Sequence, residues 1–444
     1  MEYFLVTGGR PISGRTCLSG AKNVALKVIA ASLLTSDRVT ISNIPDIADV
    51  RVMLALMSSL GVRCEFKDHV VTLENSGSKA VTVPLEYGAR LRTSILVLGP
   101  LLSTRKFAHV PNPGGCRIGA RPVDRQIIAL TAMGAAINYD HRDGYFHARS
   151  DKLHGAKVSF PKNSHTGTEA VILSAVLAEG KTVIENAAEE VEIDDLIRFL
   201  CLMGAKIDRT RPREITVTGV SRLHGVSYEI MSDRNEEVTL AVLAGVTGGE
   251  IEVDGSVADR LTAFLGPFQA AGGKVDRTGS VTKYSGKKPF RAVDIVTAPH
   301  PGFMTDWQAP FAVMMTQAVG KSSIHETIFE SRFAYVSELQ KMGAEISFYS
   351  PPVADLHNYY NFNVGQTGLV KPQAIRITGP VQLHNAVLEM QDLRAGATLL
   401  LAALAAGGQS VIYGIEQIDR GYEQIDLKLR NMGADIVRTT KEGL

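Results

Sequence analysis

Leu339-Gln340-Lys341-Met342-Gly343-Ala344-Glu345-Ile346-Ser347-Phe348 reads as the end of a helix, a glycine stop and an alternating strand. Glycine takes the left-handed backbone conformation that terminates helices, and the period-two pattern behind it suits a half-buried strand. Variants recur at Leu60-Gly61-Val62, Met133-Gly134-Ala135, Met203-Gly204-Ala205, Ala271-Gly272-Gly273 and Met432-Gly433-Ala434. The six glycines are 73, 70, 68, 71 and 90 residues apart, so the chain is an internal repeat of six units.

Each unit carries an earlier helical segment: Asn23–Leu34, Arg92–Leu102, Thr168–Ala178, Glu236–Val246, Gln308–Val319 and Arg394–Ala406. Runs such as Thr398 to Ala406 have no polar face, so these six are expected to be buried. The second helix of each unit, as at Asp194 to Phe199, is amphipathic and is expected nearer the surface. A short strand sits between the two, as in Lys181 to Asn186 and Glu250 to Asp254. The unit is therefore strand–helix–strand–helix–strand, giving an α/β fold whose six units close into one ring or split three plus three. The long last interval predicts an insertion of roughly 20 residues from Ser350 to Pro372, rich in Pro, Asn, Tyr and Gly and expected as a surface excursion.

The chain is 444 residues long, with 45% hydrophobic and 21% charged residues, which fits a folded globular protein and excludes disordered and fibrous classes. Forty-seven basic residues against forty-six acidic ones give no surface suited to coating nucleic acid or an acidic membrane. No apolar run approaches the roughly 20 residues of a bilayer span. Met1 to Arg10 lacks a basic segment followed by a long apolar stretch, so no signal peptide is read there. Four cysteines without a CxxC pair point to reduced thiols and a cytoplasmic location. Cys17, Cys64 and Cys201 are read as buried, inert thiols.

The start of each buried helix is polar: Lys22-Asn23, Arg92, Ser164-His165-Thr166-Gly167, Asp233-Arg234, Thr305-Asp306 and Asp392-Leu393-Arg394. Helix N-termini present free amides and a positive dipole to anions. Asp, Ser and Thr there are also ordinary caps. Lys and Arg oppose the dipole, so their recurrence favours an anion-binding role over capping. Pro111 to Asp124 holds three prolines and three glycines and is read as a mobile loop; Arg117 and Arg121 flank Cys116 and favour its thiolate. His165 and His300 are read as hydrogen-bonding loop residues rather than metal ligands. The sequence carries no HExxH, Walker A or GxGxxG motif.

At these residues the chain resembles the UDP-N-acetylglucosamine enolpyruvyl transferases (MurA family) over nearly its whole length. The matching segments are Ser19 to Asn23, Pro113 to Asp124, Thr297 to Asp306, Glu330 to Phe333, Asp392 to Arg394 and Ile418 to Tyr422. The resemblance implies a two-domain inside-out α/β barrel, with three βαβαββ-type repeats per domain. It implies a first domain of residues 1–20 plus 231–444, a second of 21–230 that carries the Cys116 loop, and an active site in the interdomain cleft. The implied reaction moves the enolpyruvyl group of phosphoenolpyruvate onto the 3'-hydroxyl of UDP-N-acetylglucosamine and releases phosphate, with no metal or organic cofactor.

By the same resemblance Asp306 is the base near the sugar hydroxyl, and Cys116 is the proton donor to C3 or the group that assists product release. Asp392 is the carboxylate near the reacting methylene. Lys22, Arg121 and Arg420 hold phosphate, while Arg92, Arg332 and Arg394 fix the carboxylate and the closed cleft. Asn23 touches the sugar, and Arg121, Pro122, Val123, Asp124, Lys162, Ser164 and Ile328 hold the uridine diphosphate; Arg92 and Asp306 also belong to the UDP-sugar set. Neither nucleic acid nor membrane is implied as a partner, and oligomeric state is not readable.

The chain departs from the family pattern at His165-Thr166, where a Val-Gly pair is usual. It departs also at Arg125, where an apolar residue is common, and at Asn235, Glu237 and Val238, where Ile, Ala and Gly are usual. These changes fall on the nucleotide side and leave open transfer to another uridine nucleotide. A catalytically silent UDP-sugar-binding paralogue is expected to lack Asp306, Lys22 or Cys116, and all three are present. A shikimate-pathway transferase is expected to lack the Pro-Gly-Gly-Cys loop.

Overall fold

The computed structural model describes residues 2–115, 118–365 and 371–440. Two compact units form: unit 1 is Met1–Ser19, Arg117–Arg121 and Ser232–Leu444, and unit 2 is Gly20–Cys116 and Pro122–Met231. The six sequence units become six sheets among the described residues, three in each compact unit. The repeat therefore splits three plus three. Each repeat glycine takes a positive φ, between 80° at Gly61 and 112° at Gly272, and a strand follows it. A residue with a Cβ would be strained at these positions, which is why the stop is always glycine.

The sheets combine a parallel pair with an antiparallel hairpin. Lys157–Ser159 runs parallel to Lys181–Glu185, which pairs antiparallel with Glu214–Thr218, and that strand pairs antiparallel with Lys206–Arg211. The sheet of Phe107–Pro111, Ala136–Asp140 and Tyr145–Arg149 differs, being antiparallel throughout, with its parallel partner reduced to a single bridge from Thr82 to His109. In unit 1 the two ends of the chain meet in one sheet, where Glu2–Gly8 pairs antiparallel with Asp435–Thr440 in the register Phe4 to Arg438.

In unit 1 the helices Arg234–Thr247, Thr305–Thr316 and Leu393–Ala405 pack on one another. Twelve of the thirteen residues of Leu393–Ala405 are buried. Burying one leucine contributes about 1.5–3 kcal/mol, so a helix apolar on all sides belongs at the centre of its unit. In unit 2, Lys22–Ala31 and His165–Ala175 occupy the corresponding place, together with a 3-10 segment Arg92–Val97 that continues as the α-helix Leu98–Arg105. The outer helices bury one face only: in Val191–Leu202, Ile193, Leu196, Phe199 and Leu200 face in while Leu202 is exposed. No helix among the described residues is long and apolar enough to cross a membrane.

Several expectations are corrected. Arg92 opens a 3-10 segment rather than an α-helix. Cys17 and Cys201 are exposed and Cys64 is half-buried, because each lies in an alternating strand or at the outward face of a surface helix, not in the core. His165 is the first residue of a helix, not a loop residue. The insertion is more than an excursion: Tyr360 and Phe362 are buried, and a short helix Leu356–Tyr359 is capped by Asp355. Cys116 and Arg117 lie outside the described residues.

Candidate active site

Unit 1 brings three helix starts together. Asp233 caps the first, accepting from the amides of Asn235 at 2.7 Å and Glu236 at 3.4 Å; Asp392 caps the third, accepting from Arg394 at 2.9 Å and Ala395 at 3.1 Å. The middle helix, Thr305–Thr316, has no side-chain cap, and its first turn carries Asp306. Its carboxylate is instead met by cations. Arg332 Nη2 donates to Asp306 Oδ1 at 2.5 Å, Arg394 Nε lies 3.5 Å from the same oxygen, and Arg332 Nη1 lies 3.9 Å from Asp392 Oδ1.

Both arginines are buried, and Asp306 is the open member of the set, with 22% of its side chain exposed. Buried guanidinium is tolerated because it is paired, and its planar fork suits two carboxylates at once. Burial pulls the Arg394 pKa down, but Tyr422, Asp306 and Asp233 more than offset this and hold it above the ordinary arginine range. Arg394 Nη1 donates to the Tyr422 hydroxyl at 3.1 Å, and that hydroxyl meets Thr239 Oγ1 at 2.7 Å. The result is two carboxylates and one guanidinium at buried helix starts, bridged by Arg332 from the loop before the helix Tyr335–Lys341, with one carboxylate group partly open.

Behind Asp306 sits Glu326, fully buried, whose carboxylate accepts from Thr305 Oγ1 at 2.9 Å and from the amides of Ile328 at 2.7 Å and Phe329 at 3.1 Å. Burial raises its pKa, and Arg332 and these hydrogen bonds oppose the rise. Arg121, in the left-handed region at φ 44°, places its guanidinium 5.7 Å from the Phe329 ring centre. Glu330 Oε1 accepts from the Ala120 amide at 2.8 Å, and a Cβ on Gly119 would collide with that carboxylate. Arg420 follows the 3-10 turn Ile415–Gln417, with Nη1 3.3 Å from Gln417 Oε1.

Unit 2 holds the remaining residues expected at the site. Lys22, the first residue of its helix, is buried and pairs with Asp49 at 2.8 Å; Asn23 follows it, partly exposed. Arg92 Nη2 donates to the Pro122 carbonyl at 3.1 Å. Val123 is buried, Pro122 and Asp124 are exposed, and Asp124 begins the helix Asp124–Ala132. Lys162 precedes Ser164, whose hydroxyl caps the helix His165–Ala175 by accepting from Gly167 N at 3.1 Å.

The positions that depart from the family pattern are joined to their surroundings. Arg125 Nη1 donates to the Asn163 carbonyl at 3.1 Å and Gln126 Nε2 to Thr166 Oγ1 at 3.3 Å, which ties two helix starts together. His165 Nε2 lies 2.9 Å from Glu169 Oε1, and Lys27 Nζ lies 2.5 Å from the same atom. In unit 1, Asn235 accepts from Trp307 Nε1 at 3.0 Å, and Glu237 accepts from the Tyr284 hydroxyl at 2.7 Å and the Val257 amide at 2.7 Å.

Sequence reasoning missed Asp49 as the partner of Lys22, Glu326 as the partner of Thr305, and the Lys27–Glu169 pair. Each of these acids is paired by a residue distant in sequence, and residue type alone does not name that partner. Among the described residues there is no cluster of three or more His, Cys, Asp or Glu arranged to hold a metal.

Residues 6–429 match the family profile of EPSP synthase (3-phosphoshikimate 1-carboxyvinyltransferase). A UDP-N-acetylglucosamine 1-carboxyvinyltransferase of Magnetococcus marinus is 40% identical over 440 residues, covering 99% of this chain and 99% of that protein. The like-named protein of Idiomarina loihiensis is 40% identical over 442 residues, covering 99% of this chain and all of that one. The chain belongs to the UDP-N-acetylglucosamine 1-carboxyvinyltransferase family. The fold of this carboxyvinyltransferase family member is likewise that of solved enolpyruvyl transferases. NikO from Streptomyces tendae superimposes with a TM-score of 0.86 at 22% identity, covering 99% of both chains. EPSP synthase from Acinetobacter baumannii gives 0.73 at 17% identity, covering 99% of this chain and all of that one. The inside-out α/β barrel expected from the resemblance is therefore the fold of the chain.

Proposed function

We propose that the chain transfers the enolpyruvyl group of phosphoenolpyruvate to the 3'-hydroxyl of UDP-N-acetylglucosamine and releases phosphate, the first committed step of peptidoglycan precursor synthesis, in a bacterial cytoplasm. The observation that carries this reading is identity of about 40% over 99% of the chain to proteins named for that reaction. The same identity speaks against another uridine nucleotide as acceptor.

The chemistry needs a base for the acceptor hydroxyl, an acid for the methylene carbon and cations for a multiply charged donor. The hydroxyl oxygen adds to C2 of phosphoenolpyruvate while C3 takes a proton, giving a tetrahedral ketal. Loss of a C3 proton and of phosphate then restores the double bond. Asp306 accepts the hydroxyl proton, a role supported by its partial exposure beside Arg332 and Arg394. Cys116 protonates C3 or assists product release, and Asp392 stands near the reacting methylene. Lys22, Arg121 and Arg420 hold the phosphate, while Arg92, Arg332 and Arg394 hold the carboxylate. Asn23, Arg92, Arg121, Pro122, Val123, Asp124, Lys162, Ser164, Asp306 and Ile328 hold the UDP-sugar.

We assign these residues to two domains, one of 1–20 plus 231–444 and one of 21–230. Phosphate release is measured with phosphoenolpyruvate plus UDP-N-acetylglucosamine, UMP or other UDP-sugars. Turnover is expected with the first, and its absence there would sink the reading.

A further inference from the structure

The insertion after Glu345–Tyr349 is longer than anything the other five repeats carry, and those five complete their sheets without it. The fold does not require it, yet part of it is buried. Asp355 caps the turn Leu356–Tyr359, with Asn358 N 3.1 Å and Asn358 Nδ2 2.6 Å from its carboxylate oxygens. That turn presents Tyr359 and Tyr360 to one residue, His325, at the end of the strand Ala318–His325. The Tyr359 ring stacks on the imidazole with centres 5.2 Å apart. Its hydroxyl is 3.3 Å from Nδ1, and the Tyr360 hydroxyl is 3.1 Å from Nε2. A neutral imidazole has one donor and one acceptor nitrogen, and a phenol can answer either. Phe362 stacks behind Tyr360, at 4.8 Å between centres.

The next contact is with backbone. Asn361 N donates to the Thr327 carbonyl at 2.7 Å, and Gln373 Nε2 donates to the Glu330 carbonyl at 3.1 Å. Thr327 is in turn bonded twice to Thr297, through its amide to Thr297 Oγ1 at 2.8 Å and through its hydroxyl to the Thr297 carbonyl at 2.6 Å. His325 to Glu330 is the stretch that carries Glu326, Ile328 and Phe329, and Thr297 opens the segment leading to Asp306. The insertion thus grips the backbone immediately outside the residues assigned to the acceptor.

We infer that residues 355–362 are a strap that positions the acceptor-binding turn Thr327–Glu330 by clamping His325 between Tyr359 and Tyr360 and bonding Thr327. Tyr359 and Tyr360 are positioning residues: they act through His325 and Thr327 on Ile328. The inference rests on the proposed function for the identity of the acceptor, though not for the placement of the turn.

The test uses the full chain with Tyr359→Phe/Tyr360→Phe, which keeps both rings and removes both hydroxyls, and Tyr360→Ala as a stronger variant. Losing two net hydrogen bonds of about 1 kcal/mol each corresponds to a change of up to about thirtyfold. Amide exchange at Glu326 to Glu330 is expected to quicken by about tenfold in the double variant, within that limit. The KM for UDP-N-acetylglucosamine is expected to rise by a similar factor, with kcat and the KM for phosphoenolpyruvate within about twofold. A role in stability alone would lower Tm and leave the ratio of the two KM values unchanged, and that result would overturn the strap. So would unchanged exchange at Glu326 to Glu330 in both variants. Should the unaltered chain fail to use UDP-N-acetylglucosamine, the proposed function falls, while the exchange result still decides the strap.

Discussion

Arg332 donates to Asp306 across 2.5 Å while its other terminal nitrogen lies 3.9 Å from Asp392, so one buried guanidinium holds two carboxylates from two different helix starts. Lysine keeps the charge and loses the fork. Arg332→Lys is therefore expected to fold, by circular dichroism, and to lower kcat/KM by about 100-fold, roughly 2.7 kcal/mol of transition-state stabilisation. A rate near that of the parent would remove the bridging geometry from the mechanism.

Asp306 is the partly exposed member of that cluster, and the base role proposed for it asks for its charge as well as its place. Asn occupies the same volume and cannot accept the hydroxyl proton. Asp306→Asn is expected to lower kcat by about 10³-fold, within the usual worth of a general base. Nucleotide affinity, measured by calorimetry, should stay largely intact, since many other residues are assigned to that ligand. Substantial turnover would move the base elsewhere.

The cluster of His165, Glu169 and Lys27 gives a pH signature. Burial and Lys27 push the His165 pKa down, but Glu169 and Glu190 outweigh them and the net direction is up. For a raised histidine the stabilising contribution is complete below the unfolded value, about 6.5, and is lost as pH rises through the higher folded value. Glu169 runs the other way: burial opposes its charge, Lys27 and His165 favour it, and its pKa is lowered. Its contribution is present above the unfolded value and is lost as pH falls through the folded one. The difference in Tm between the parent and His165→Gln is thus expected to be larger near pH ~6 than near pH ~9. A difference that does not vary with pH would contradict this.

The six-unit order was legible because glycine stops and all-apolar helices are local signals, each readable within about ten residues. The same holds for Asp233, Asp392 and Ser164, whose capping follows from residue type and position. The support around the site was not legible. Asp49 meets Lys22 from a neighbouring helix, Glu326 meets Thr305 from across a loop, and Lys27 meets Glu169 from a different repeat of the sequence. Such pairs are made by the fold, and neither member announces the other. The thiols failed for the opposite reason: free cysteine is commonly buried, and that average concealed the alternation that puts Cys17 on the outward side of Gly14–Cys17.

That alternation sharpens the last prediction, in which the phosphonate epoxide fosfomycin alkylates Cys116. A generic thiol reagent should reach the exposed Cys17 and Cys201 as well. An anionic epoxide should not. Cys17 Sγ lies 3.9 Å from the Asp254 carboxylate, which repels a phosphonate, and partial desolvation of the sulfur, even at the exposed Cys201, pushes the Cys201 and Cys64 thiols up and away from the reactive thiolate. Cys116 has Arg117 and Arg121 as sequence neighbours, and it is therefore the cysteine expected to react with an anionic epoxide. Intact mass is expected to show one adduct per chain, peptide mapping to place it at Cys116, and Cys116→Ser to abolish it. Adducts spread over Cys17 and Cys201 would mean that exposure, rather than local charge, selects the thiol.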